Sequence, residues 1–370
     1  MQIGSYMFNT KRNEIFNAND VINSNDLRKR IVNIDSRFRT SPMASTTDFY
    51  YKFENPYKNV IRARVASVEI PNMYYMFSEV NYMNTWFTVS AYDYAGVLRN
   101  VTIKIKDGTY SAVDLLIEIQ NKLNSNFFVP YGIYIEIYPD PIQIKTVIVN
   151  RGSVRLPTGP SPPALAWPPS NFVWDTIKTT YTTKPSSPFQ LNFIVPSLKN
   201  RLYNNGIGFN LGFRQNLYNV TTFDDDLTTY MIRSESCIDV IGDMYCFLSI
   251  DDFHTVSQQT LENTFECIAK IIIREEKGAV IYDDGSTLLS NEMIFPSPVD
   301  LKQVHVRLLN CYGQVIDLND MNFSFSLELT EVTNTKLYEF YRNYLWLGQL
   351  PSLPQDVRGA GVGLLGGRGP

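Results

Sequence analysis

NIDSRFRTSPMASTTDFYYKFENPYKNVIRARVASVEIPNMYYMFS, residues 33–78, is the stretch that decides the fold. With Ile31 and Val32 ahead of it, it reads as a short apolar strand ending in a charged turn, Asp35-Ser36-Arg37. After a polar loop comes an aromatic strand over 48–53 and a turn at Asn55-Pro56-Tyr57. Alternation from Val60 to Ile70 then predicts a long half-buried strand, stopped by Pro71-Asn72. Local side-chain-to-backbone bonds account for the Asp35-Ser36-Arg37 turn without any substrate. The stretch specifies architecture.

Working outward, residues 86–92 and 97–106 read as a hairpin around Tyr94-Ala95-Gly96. A helix is predicted over 111–124, with Ser111 as N-cap, Asp114 three residues on, and Val113, Leu116, Ile117, Ile119 and Leu123 on its apolar face. Strands follow at 132–138 and 142–149, joined by the rigid turn Pro139-Asp140-Pro141, and another at 189–195. The last third is strand-rich and closes on Phe323-Ser324-Phe325-Ser326-Leu327-Glu328-Leu329, which alternates without a break. Many short strands, one helix and no βαβ rhythm predict a mainly β protein, an antiparallel jelly-roll β-sandwich with extended arms. The region 31–333 is either one elaborated jelly roll, closed by pairing its first and last alternating strands, or two successive ones divided near 215–225.

Three segments break the pattern. Residues 1–30 are polar and Asn-rich, end in Arg28-Lys29-Arg30, and read as an N-terminal arm that orders against a partner. Residues 151–188 hold LPTGPSPPALAWPPS, a proline density unsuited to helix or central strand, with Trp167 and Trp174 expected to contact a neighbour. Residues 334–370 carry the aromatic LYEFYRNYLWL and a glycine-rich tail, read as a docking peptide.

Composition narrows the function. Of the 370 residues 44% are apolar and 19% charged, as in a globular chain, while 23 Tyr and 22 Phe favour pleated surfaces and large contacts. A net charge of −4 argues against bulk nucleic-acid binding. Residues 1–70 hold 11 Lys and Arg against 7 Asp and Glu, while residues 221–300 hold 4 against 16. That asymmetry reads as two differently solvated faces, or as complementary patches on neighbouring copies. Cys237, Cys246, Cys267 and Cys311 lack CxxC spacing and read as buried thiols in a reducing compartment. No signal pattern opens the sequence and no window holds 18 uninterrupted apolar residues, so neither secretion nor a membrane span is expected.

Catalytic groups are hard to find. His254 follows Asp251-Asp252-Phe253, and His305 sits between Val304 and Val306 as a sheet-face residue. Asp224-Asp225-Asp226 lacks the later ligands of a Ca²⁺ loop and reads as a solvated acidic turn. The glycine-rich run from Gly206 to Phe213 fits neither nucleotide fingerprint and reads as close backbone packing. No catalytic residue, cofactor or metal ligand is assigned.

Several segments occur in an order that resembles the minor capsid proteins of nucleocytoplasmic large DNA viruses: NIDSRFR (33–39), DFYYKF (48–53), PYKNVIRARVASVEIPNMYYMFS (56–78), KDGTYSAVDLLIEIQNKLN (106–124), GIGFNLGF (206–213) and PVDLKQVHVRLLNCYGQVIDLNDMNFSFSLEL (298–329). The resemblance covers about half of the chain; the proline-rich insertion and the glycine-rich tail lie outside it. It implies a jelly roll in the capsid of a virion assembled in the host cytoplasm. Its partners would be the major capsid protein, other minor capsid proteins and further copies of itself, without catalysis, specific nucleic acid or a membrane span. The role implied is cementing capsomers, or as an alternative forming the pentameric vertex (penton). A carbohydrate-binding sandwich, with Trp167 and Trp174 stacking on sugars, is the alternative from another class. The residues expected to contact partners are Arg28, Lys29, Arg30, Arg37, Arg39, Trp167, Trp174, Tyr341, Tyr344, Trp346, Leu364 and Leu365.

Overall fold

The structure, a computed structural model, describes residues 27–156, 173–194, 206–224, 228–251, 253–260, 264–285, 290–336 and 338. Strand β1 (Leu27–Asp35) leads through a 3-10 turn into β2 (Asp48–Pro71). The hairpin β3 (Trp86–Tyr92) and β4 (Leu98–Lys104) precedes helix α1 (Ala112–Leu123). Next come β5 (Ile133–Pro139), β6 (Lys145–Val154) and α2 (Val173–Thr180). Short elements follow: β7 (Thr183–Lys184), β8 (Phe189–Asn192), the one-turn α3 (Ile207–Asn210), β9 (Leu217–Val220), β10 (Phe223–Asp224) and β11 (Thr229–Cys237). The last third holds β12 (Tyr245–Ile250), β13 (Val256–Gln259), β14 (Thr264–Cys267), β15 (Ala269–Ile272), β16 (Val280–Asp283), β17 (Met293–Leu309) and β18 (Ser324–Val332). All of their pairings are antiparallel, so the chain has the mainly β, antiparallel architecture that its periodicity predicts.

The chain divides into two compact units, one built from its two ends (up to Met73 and from Tyr245 onward), the other from Tyr74–Met244. Residues 215–225 hold β9 and β10 of the second unit.

In the first unit a seven-stranded sheet has the order β1-β18-β2-β17-β12-β15, with β16 also on β2. The first and last strands are neighbours, Ile34 lying opposite Phe325 and Phe325 opposite Val68. Alternation gives the sheet two unlike faces. Val32, Ile34, Val65, Val68, Phe325, Leu327 and Leu329 are buried, while Lys29, Ile31, Asn33 and Arg64 are exposed on the other side. One expectation is corrected here. Asn55-Pro56-Tyr57 makes no turn, and β2 runs through it for 24 residues. Its register with β17 shifts between Ile294 and Val299, again to Leu301 and again to Gln303, and Asn59 takes φ 55. Such bulges accommodate Pro56, which has no N–H to donate to a ladder. Residues 293–302 are strand for the same reason: Pro296 and Pro298 lie in the bulged part.

The second unit has two sheets, β10-β11-β6-β5 with β7 on β6, and β4-β3-β8-β9. Helix α1 starts where the sequence places it, Ser111 accepting the Asp114 N–H at 3.1 Å. It runs on through a π turn, Asn124–Phe128, and a last turn, Val129–Tyr131, to Gly132 at φ 69. The helix closes one sheet edge. β5 pairs only with β6 among the described strands, and the buried Gln120 amide takes the other side: Nε2 donates to the Ile135 carbonyl at 2.9 Å and Oε1 accepts the Ile137 N–H at 2.7 Å. Tyr74 donates to the Asp243 carbonyl at 3.1 Å, so the two ends of this unit meet.

The expectation that residues 151–188 carry no helix is also corrected. α2 occupies the proline-free gap between Pro169 and Pro185. The glycine-rich run from Gly206 is a helical turn as tightly packed as expected: a Cβ on Gly208 would lie 2.6 Å from the Phe193 ring, and one on Gly212, at φ 91, would overlap the Ser236 carbonyl. That ring belongs to an aromatic chain through Phe87, Phe193, Phe213 and Tyr218.

Candidate interaction surface

The basic cluster predicted to lie in an arm is strand: β1 takes in Arg28, Lys29 and Arg30 because β18 offers carboxylates beside it. Lys29 Nζ lies 2.8 Å from Glu328 Oε1, and Arg64 grips the other oxygen at 3.0 and 2.6 Å. These hydrogen bonds, first from Lys29 and then from Arg64, hold the Glu328 carboxyl below the usual carboxylate range. Arg30 bonds Glu331 at 2.9 Å and lies over the Tyr57 ring at 5.8 Å. Arg28 is exposed.

Arg37 and Arg39 are committed to their own turn. Asp35 Oδ1 accepts the Arg37 N–H at 2.9 Å, and the guanidinium bonds both of its oxygens. The Arg37 side-chain bond lowers the Asp35 pKa against the opposing effect of burial. Arg39 donates to the carbonyls of Ala44, Ser36 and Pro42 at 3.0, 2.9 and 2.8 Å. Buried Ser36 ties the turn to β18, exchanging bonds with Phe323 at both its N–H and its hydroxyl. The loop so fixed presents Phe38 and Met43 to solvent.

Trp174 is elsewhere than expected. It is 8% exposed and packs with Phe128, Tyr134, Val154 and Ile177, its indole stacked on Tyr134 at 5.6 Å. Burial in its own unit removes it as a sugar platform or a contact for a neighbour. Trp167, Tyr341, Tyr344, Trp346, Leu364 and Leu365 lie outside the described residues.

The histidines divide differently from their sequence neighbours. Asp251 serves His305 rather than His254: its Oδ2 accepts the His305 N–H at 2.8 Å, and its Oδ1 lies 3.6 Å from Nδ1. On the other side His305 Nε2 is 2.6 Å from Asp48 Oδ1, and the ring stacks on Tyr50 at 4.4 Å. The imidazole thus joins β2, β17 and the end of β12, a constellation sequence reasoning missed because Asp48 and His305 are 257 residues apart. His254 Nδ1 lies 3.6 Å from Glu266. Among the described residues no group of three or more His, Cys, Asp and Glu side chains is arranged to hold a metal, and no helix is long and apolar enough to cross a membrane. No disulfide joins the cysteines; Cys246 and Cys267 are buried, Cys311 is half-buried, and Cys237 is exposed rather than buried as read from the sequence. Burial pushes the Cys267 thiol up to about 12.

No family profile matches the chain. No curated protein matches it either. Among solved structures it aligns with a chain in the 3.5 Å cryo-EM structure of the Sputnik virophage, over 85% of this chain and 99% of that one, at 11% identity and a TM-score of 0.36. A TM-score of that size establishes neither a shared fold nor a shared function.

Proposed function

We propose that this chain is a non-enzymatic structural component of an icosahedral virion, a minor capsid protein that bridges major capsid capsomers. The observation that carries this reading is where the terminal segments depart. Leu27 is the register partner of Val332, so the start of β1 and the end of β18 lie side by side at one end of the same sheet. If the segments before β1 and after β18 act as the arms that the sequence suggests, they would reach a neighbour from one corner of the sheet, the second contact at high effective concentration. Tyr341, Tyr344, Trp346, Leu364 and Leu365 in the C-terminal segment and Trp167 in the proline-rich insertion are the apolar side chains that would make such contacts. The polar groups of the 33–78 stretch are spent on turns and strand pairing, in keeping with a scaffold, and the ordered resemblance of its motifs to minor capsid proteins points the same way.

The test is a reconstruction of the assembled particle. Density for this chain between or beneath capsomers, with its terminal segments on neighbouring subunits, is the expected result. Density at five-fold vertices alone would replace cementing with the penton role. Absence from the shell would overturn the proposal.

A further inference from the structure

We infer that β1 is a self-association edge, on which a second copy of this chain adds its own β1 in antiparallel register about a two-fold axis at Ile31. Three observations carry this. Among the described residues β1 pairs with β18 on one side and with nothing on the other, so half of its backbone donors and acceptors face outward. On its outer face Ile31, the middle of the nine residues, is an apolar side chain 72% exposed between the exposed Lys29 and Asn33. Its charge is one-sided, Arg28, Lys29 and Arg30 before Ile31 and no cation between it and Asp35.

That asymmetry selects the partner and the register. Two-fold pairing about Ile31 sets Ile31 against its own copy, Lys29 opposite Asn33 and Arg28 opposite Ile34, so no cation faces a cation. A parallel in-register pairing would stack all three cations on their copies. Moving the two-fold axis one residue toward the N-terminus, a register change of two, would set Arg30 against Arg30. The basic half therefore guards the edge against registers moved toward the N-terminus, and registers moved toward the C-terminus pair fewer of the nine residues, so pairing about Ile31 keeps the whole strand without a cation facing a cation. The inference does not depend on the capsid reading, since the edge belongs to the folded unit.

Sedimentation equilibrium of the full chain over a concentration series tests it, with hydrogen exchange on β1. A reversible monomer–dimer equilibrium is expected, with outward β1 amides protected only at concentrations where the dimer forms. Ile31→Lys replaces the apolar contact on the axis with a pair of like charges and weakens the dimer by about tenfold. Asn33→Asp sets a carboxylate against Lys29 of the other copy and tightens it by about threefold. Both side chains are exposed, so an unchanged thermal melt of the dilute monomer confirms folding in each variant. A chain that stays monomeric throughout, or a dimer indifferent to both substitutions, overturns the inference. So does full β1 protection in the dilute monomer, which would assign the edge to residues 1–26 of the same chain.

Discussion

At the scale of single residues, charge in the first unit is spent on register. Glu328 is the clearest case, a carboxylate 11% exposed and held between Lys29 and Arg64 from the two flanking strands. Because its pKa is lowered from 4.5, its contribution is fully present above that pH and is lost as pH falls through the folded value. Glu328→Gln should therefore cost about 1 kcal/mol at neutral pH. The gap to the parent should close in acid, where both side chains are neutral. Denaturant midpoints at pH 7 and well below pH 4.5 check this; a gap that persists in acid would mean that packing, not charge, holds the position. Tyr218 behaves oppositely. Burial and its 2.6 Å bond to Glu235 push the phenol up to about 12, and its oxygen also accepts the N–H groups of Arg214 and Gln215. A group with a raised pKa stabilises below its unfolded value and ceases to as pH rises through the folded one. Tyr218→Phe should cost about 1–3 kcal/mol near pH 7, and in alkali the variant's melting temperature should fall less steeply than the parent's.

Elements are held by a few side chains that stand in for missing strands or layers. Gln120 is one, an amide on a helix completing the edge of β5. Gln120→Leu keeps the volume but strands a buried carbonyl and N–H, so a loss of about 2 kcal/mol is expected. Faster amide exchange at Ile137 than at Ile148 on the paired side would locate the damage. Trp174 is another, roofing Phe128 and Tyr134 from α2. Trp174→Ala should cost about 3–5 kcal/mol and expose apolar surface to a hydrophobic dye. If it instead left stability alone and weakened partner binding, the indole would be a contact residue after all.

For the whole molecule, connectivity sets what can fold alone. Residues 74–244 are continuous, carry both of their sheets and bring their ends together at Tyr74 and Asp243. Expressed alone they should fold cooperatively, with a single thermal transition and native-like near-ultraviolet dichroism. The first unit is the reverse: β2 comes from one end of the chain and its neighbours β17 and β18 from the other. A fragment ending at residue 73 should stay unfolded until residues 245–338 are supplied in trans.

Local order was readable from the residues. Alternation gives β1, the late part of β2 and β18, and Ser111 with Asp114 gives the start of α1, because periodicity and capping depend on neighbours a few positions away. The turn at Asp35 was legible for the same reason, its bonds reaching only two residues. What no local signal carries is which strand lies beside which. β18 sits between β1 and β2, bulges opposite β17 carry β2 through Pro56, and an aspartate 257 positions away reaches His305. Trp174 was misjudged because its composition announced a surface loop, whereas an apolar pocket lined by β5, β6 and the turn after α1 was waiting to bury it. Strand neighbours and burial are settled by pairing and packing across the whole chain, where the gain of closing a sheet outweighs the preferences of any short segment.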